Sequence, residues 1–160
     1  MTEKATFEIL PIEDIDFDFD NPRVNDMFER LKDPDVEHYR IELADRSSKY
    51  RALQQSILAH GFIFNPIILQ KLESGRYKCI EGNTRLNFYN EFSESDDQKI
   101  RDKNQYAWKQ IPAFVYPTGS EEENKIFHEI RLQAHLVGPR PWKAVNKARY
   151  IYNLRKQDIL

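Results

Sequence analysis

Hydrophobic positions along this chain change period several times, and each change predicts an element. From Phe7 to Ile15 apolar and polar residues alternate (Phe7 and Ile9 against Glu8), the period-two pattern of a first β-strand. The DFDFDNPR run that follows carries the turn formers Asp18, Asp20 and Asn21, and Pro22 keeps Asn21 out of the helical region. Val24 to Leu31 reads as helical, with a break at Asp33-Pro34 and a resumption over His38 to Leu43. A firmer helix begins after Ser47-Ser48, sets Tyr50, Leu53, Ile57 and Leu58 on one stripe, and stops at Gly61.

Residues 61–92 are the part around which the rest is arranged. Ile67 to Lys71 reads as one strand, Glu73-Ser74-Gly75 as the turn and Tyr77 to Ile80 as the return strand of a hairpin. The return strand runs through Glu81-Gly82-Asn83-Thr84-Arg85 into a helical pattern of Leu86, Phe88, Tyr89 and Phe92. A strand that turns through Gly-Asn into a helix leaves backbone N–H groups at the positive end of the helix dipole, and Arg85 adds a full charge. That is the recipe for an anion site, most often a phosphate. An ordinary strand-to-helix turn with a solvated Arg85 fits the same residues.

Residues 93–109 are polar and predict a surface insertion with a short helix, its end anchored by Trp108. Ile111 to Tyr116 is a further strand, in which Pro112 suits the start or a sheet edge. Ser120-Glu121-Glu122-Glu123 matches a capping box and opens a helix with Ile126, Phe127, Ile130 and Ala134 inward. Gly138-Pro139-Arg140-Pro141 ends it, and a last helix carries Trp142, Val145, Ala148 and Tyr152 as its apolar stripe. The order β, α, ββ, α, β, α, α predicts an α+β domain built on a small mixed sheet.

Charge and composition narrow the function classes. The 160 residues hold 24 basic and 26 acidic side chains, so 24 − 26 = −2 argues neither for nor against nucleic acid. The acids crowd the first third, whereas Arg149, Arg155 and Lys156 stand among the bases of the C-terminal stretch, either a polyanion-facing surface or a solvated helix face. No apolar run approaches ~18 residues and the acidic N-terminus is unlike a signal peptide, so no membrane partner is expected. The lone Cys79 reads as a buried small residue, and the lack of a disulfide framework fits a reducing cytoplasm. No metal centre is predicted: Asp16, Asp18 and Asp20 lack the sixth-position Gly and distant Glu of a calcium loop, and His38, His60 and His128 read as surface or capping residues.

Four blocks in order resemble the N-terminal domains of ParB proteins: LPIEDIDFDFDNPR, LQQSILAHGFIFNPIIL, YKCIEGNTRLNFY and IPAFVY. The resemblance covers roughly residues 7–155. It implies a ParB/sulfiredoxin-like fold over residues 1–135, with an insertion at about 93–109, and a helical extension at 136–160 leading towards a helix-turn-helix domain that the sequence does not reach. It also implies a nucleotide, CTP in ParB proteins, with magnesium. Gly82, Asn83, Thr84 and Arg85 would then cradle phosphates, Arg23 would lie near the phosphate side, Asn65 and Pro66 near the base, and His135 and Arg140 would supply further donors. Arg149, Arg155 and Lys156 could touch DNA phosphates, and a homodimer is possible.

Two departures from the family pattern matter. Where CTP-binding relatives place Glu-Asn, this chain has Ala134-His135, and an alanine cannot hold magnesium. Where sulfiredoxins place their reactive cysteine, this chain has Asn83, which excludes that chemistry. The function expected is therefore a nucleotide-binding, DNA-associated or partition-like switch. The alternatives are a nuclease or a small-molecule kinase on the same fold, with Glu81 or Asp20 as the catalytic carboxylate, and a non-catalytic dimerisation domain.

Overall fold

The computed structural model describes residues 5–21, 30–44, 48–117, 121–136, 148, 151–153 and 155–156. Five strands form one mixed sheet in the order β1-β5-β3-β4-β2. They are β1 (Thr6–Pro11), β2 (Ile15–Asp16), β3 (Ile67–Lys71), β4 (Tyr77–Glu81) and β5 (Gln110–Tyr116). The pairs β1–β5 and β3–β4 are antiparallel, whereas β3–β5 and β2–β4 are parallel. The helices are α1 (Val36–Leu43), α2 (Ser48–His60), α3 (Asn83–Ser93), α4 (Gln98–Asp102) and α5 (Glu121–Leu136). Ala148, residues 151–153 and residues 155–156 are also helical.

The chain divides into two compact units. One comprises Met1–Asp18 and Ala44–Thr118, the other Phe19–Leu43 and Gly119–Leu160. The first holds the sheet with α2, α3 and α4. Its core is made by the inward face of the sheet (Ile67, Leu69, Cys79, Ile111, Ala113, Val115) and by Leu86, Phe88, Tyr89 and Phe92 of α3. Tyr50 of α2 meets Phe88 with ring centroids 4.7 Å apart. In the second unit Tyr39, Leu43 and Phe127 are buried, and the Phe19 and Tyr39 rings lie 5.0 Å apart. Asp35 caps α1 by accepting the His38 N–H at 2.9 Å, and the half-exposed His38 ring stands beside it, in keeping with the surface or capping position expected of that histidine.

Two expectations need correction. The single strand over Phe7 to Ile15 is two strands on opposite edges of the sheet. Pro11 ends β1, a 3-10 turn (Ile12–Asp14) follows, and β2 pairs beside β4. The alternation in β1 also points the other way from a core strand: Phe7 is 57% and Ile9 48% exposed, and Phe7 lies edge-on to the exposed Phe114 at 5.8 Å. Finally, Pro112 sits in an interior strand. It is tolerated because pairing of β5 with β3 begins only at Ala113, so the sheet needs no β3 ladder bond from Pro112.

The insertion is tied down more firmly than its polarity suggests. Trp108 is fully buried, packs against Tyr89 (5.0 Å) and Phe92 (4.8 Å), and donates its indole N–H to Ile100 O at 2.8 Å. Ala107 and Trp108 both take positive φ, 52° and 66°, which is strained for residues with side chains. Asn104 holds them there. Its Oδ1 accepts the N–H groups of Tyr106 (2.9 Å) and Trp108 (3.0 Å), and its Nδ2 donates to Gly61 O at 2.8 Å.

Candidate phosphate-binding turn

The hairpin carries the site. Gly75 takes φ +87° in the turn, and Leu72 N–H donates to Arg76 O at 2.8 Å, which registers β3 against β4. The register then shifts: Leu69 lies opposite Cys79 but Ile68 lies opposite Glu81, leaving Ile80 as an extra residue. Strict alternation would put Glu81 on the same buried face as Cys79. The bulge turns it out beside Ile68 instead, so the carboxylate escapes the core.

Gly82 is the hinge from strand to helix. It caps α3 at φ 102°, ψ 20°, a left-handed conformation, and α3 has no side-chain cap. A Cβ there would overlap the buried Ile67 side chain, coming 2.9 Å from Ile67 Cβ as well as against its Cγ2. Only glycine fits both the angle and the space. Leu86 N–H donates to Gly82 O at 2.9 Å, closing the first turn of α3. The backbone N–H groups of the first turn of α3 lie at the positive end of the helix dipole.

The side chains of the box have separate duties. Asn83 is buried and faces inward: its Oδ1 accepts the Asp18 N–H at 3.0 Å and its Nδ2 donates to Cys79 O at 3.1 Å. It locks the box to the chain that leaves β2, so only its backbone is left to face a ligand. Thr84 is half-buried at the second helical position. The Arg85 side chain is neither solvated nor open. Nη2 pairs with Glu81 Oε2, while Nη1 donates to Asn65 O and, at 3.3 Å, to Pro66 O. The two side chains are 15% and 21% exposed. Arg85 therefore braces the start of α3 to the start of β3, and the carbonyls of Asn65 and Pro66 are occupied by that brace.

Asp18, bonded to Asn83 through its N–H, is buried with Lys78 Nζ 3.7 Å away. Asp20, the other carboxylate suggested for catalysis, belongs to the second unit and is exposed. Among the described residues no group of three His, Cys, Asp or Glu side chains could hold a metal ion. Arg23, Arg140 and Arg149 lie outside the described residues. His135 falls within α5, but its side chain lies outside the description, while Arg155 and Lys156 are helical and exposed. The Glu81–Arg85 pair is the feature that sequence reasoning missed. Its four-residue spacing was visible, but that spacing brings side chains together on a helix, and here a strand, a bulge and a left-handed glycine intervene.

No helix among the described residues is long and apolar enough to cross a membrane. No protein-family model matches the sequence. No curated protein matches it either. Among solved structures it is similar to a Pnob8-like ParB-N domain, at 16% identity and a TM-score of 0.54, covering 96% of this chain and 45% of that one. It is also similar to the C-terminally truncated chromosome-partitioning protein ParB from Caulobacter crescentus complexed with CTP-γ-S, at 16% identity and a TM-score of 0.47, covering 95% and 64%. The chain thus spans less than two-thirds of either protein's length. The α+β architecture, with its mixed sheet and its strand-to-helix glycine turn, is a ParB N-terminal-domain-like fold.

Proposed function

We propose that this chain is a ParB-like nucleotide-binding module and that the Gly82–Arg85 turn receives the phosphates. The observation that carries the reading is the left-handed, uncapped start of α3 at Gly82, from which a side chain is sterically excluded. Such a turn lets ligand oxygens approach backbone N–H groups that the helix dipole makes electropositive. Two of the five N–H donors of Arg85, on Nε and Nη2, have no acceptor among the described residues and remain for a ligand. Asn83 contributes its backbone only.

CTP is the first nucleotide to test, because the four sequence blocks resemble ParB. Magnesium would enter with the triphosphate. Arg23, His135 and Arg140 are the further donors this reading assigns, and Asn65 and Pro66, whose carbonyls hold Arg85, would lie towards the base side. Hydrolysis is not part of the proposal, since Ala134 replaces the metal-handling carboxylate. A DNA-associated, partition-like role would use Arg149, Arg155 and Lys156 as non-specific phosphate contacts, with a homodimer as the working assembly. Equilibrium titration with CTP, ATP and GTP in magnesium tests the core claim. Saturable CTP binding below millimolar is expected, lost in Arg85→Ala; no binding of any nucleotide at millimolar concentration overturns it.

A further inference from the structure

Arg85 already has an anion. Glu81 Oε2 pairs with its Nη2, and the pair sums to zero charge at the turn where a phosphate would bind. The other carboxylate oxygen, Oε1, has no hydrogen-bond partner among the described residues. A bare phosphate reaching the remaining Arg85 donors would share one guanidinium with this carboxylate, and the two like charges repel. At 15% and 21% exposure, water and salt screen that repulsion far less than at an open surface. A phosphate that carries a divalent cation meets a different field. The cation offsets its charge, and the unpartnered oxygen is the ligand type that hard cations prefer. Such a cation arrives already bound to the phosphate oxygens, so one carboxylate oxygen beside them is enough to favour it.

We propose that Glu81 is the selectivity residue of the turn: it excludes bare anions through its hold on Arg85 and admits polyphosphates that bring a divalent cation. This rests on the nucleotide-binding reading above, and it gives Glu81 a role in recognition where the sequence suggested catalysis. The β4 bulge belongs to the same device, because it is what delivers the carboxylate to Arg85 rather than to the core.

The test is calorimetric titration of the full chain with CTP and with inorganic pyrophosphate, each in excess EDTA and in magnesium chloride. The wild type is expected to bind both ligands at least tenfold more tightly with magnesium. In Glu81→Gln that ratio is expected to fall to about one, through a tenfold or greater gain in EDTA. Binding by the wild type in magnesium alone, with Glu81→Gln binding in both conditions, also supports exclusion by the carboxylate, whereas no wild-type binding even in magnesium overturns the proposal. A variant that keeps the wild-type ratio overturns the proposal and leaves the nucleotide reading standing. No binding of either ligand to either protein overturns both. Should the Gln variant fail to fold, Glu81→Ala carries the same expectation, and a wild-type ratio near one overturns the proposal without any variant.

Discussion

Gly82 and Asn83 are adjacent, yet their roles rest on different physics. Gly82 matters for what it lacks. An alanine there would need φ near +102° and would push its Cβ into the fully buried Ile67. Left-handed strain and overpacking together put the expected loss for Gly82→Ala at about 2–4 kcal/mol. A lower urea midpoint at unchanged m-value is the expected result, and an unchanged midpoint would mean that the turn relaxes freely. Asn83 matters for two buried hydrogen bonds, to Asp18 and Cys79, which no local sequence pattern announced. Its position after Gly82 suggested a ligand contact, whereas the fold uses its amide as an internal tie. Arg85 and Glu81 show the same limit. Each was legible as a charged residue at a promising turn, but their mutual neutralisation depends on a bulge set by sheet packing.

Elements set by local pattern agree well with expectation. The hairpin, α2 with Tyr50 and Ile57 inward, α3 and the helix that starts at Glu121 all lie where the periodicity put them. Each is specified by residues close in the chain: a glycine turn, a cap, an apolar stripe. The insertion is the instructive contrast. Its polarity predicted a surface segment, and Trp108 was the expected anchor, but Asn104 is what fastens it, through three hydrogen bonds. Asn104→Ala should cost about 2–4 kcal/mol, since each lost bond is worth roughly 1 kcal/mol net and the positive-φ pair loses its support. In a Trp142→Phe background, a red-shifted Trp108 emission would report the loosened packing. An unshifted spectrum with full stability would show that Trp108 alone holds the segment.

For the whole molecule, the core around Tyr89 ties stability to pH. Burial pushes the Tyr89 hydroxyl above its ordinary value of 10.0, the Ile63 N–H bond to its oxygen offsetting only part of this. The folded state therefore keeps the proton after the unfolded chain has lost it. Stability from this group is fully present below pH 10.0 and is lost as pH rises through that value towards the folded one. Urea midpoints should fall between pH 9 and 11, and more steeply in the wild type than in Tyr89→Phe; equal slopes would remove Tyr89 as the cause. A second property on this scale is the pairing order. A single stretch, Phe7 to Ile15, supplies both edges of the sheet, with β1 beside β5 and β2 beside β4.

The sequence by itself determined the class of the fold, the hairpin, the helices with strong stripes, and the glycine turn that opens α3. These follow from steric and periodic rules acting over a few residues, and the order of the ParB-like blocks added the family likeness. Only the tertiary structure decided which strands became edges, that Phe7 and Ile9 face outward, that Asn83 turns inward, and that Arg85 is held by Glu81. Those outcomes depend on which distant backbone groups must be paired and which charges must be neutralised once water is excluded, and neither can be read from neighbours in the chain. The turn from Glu81 to Arg85 was legible as a glycine turn with a cation beside it, and the carboxylate that holds that cation became visible only when the charges around it were folded together.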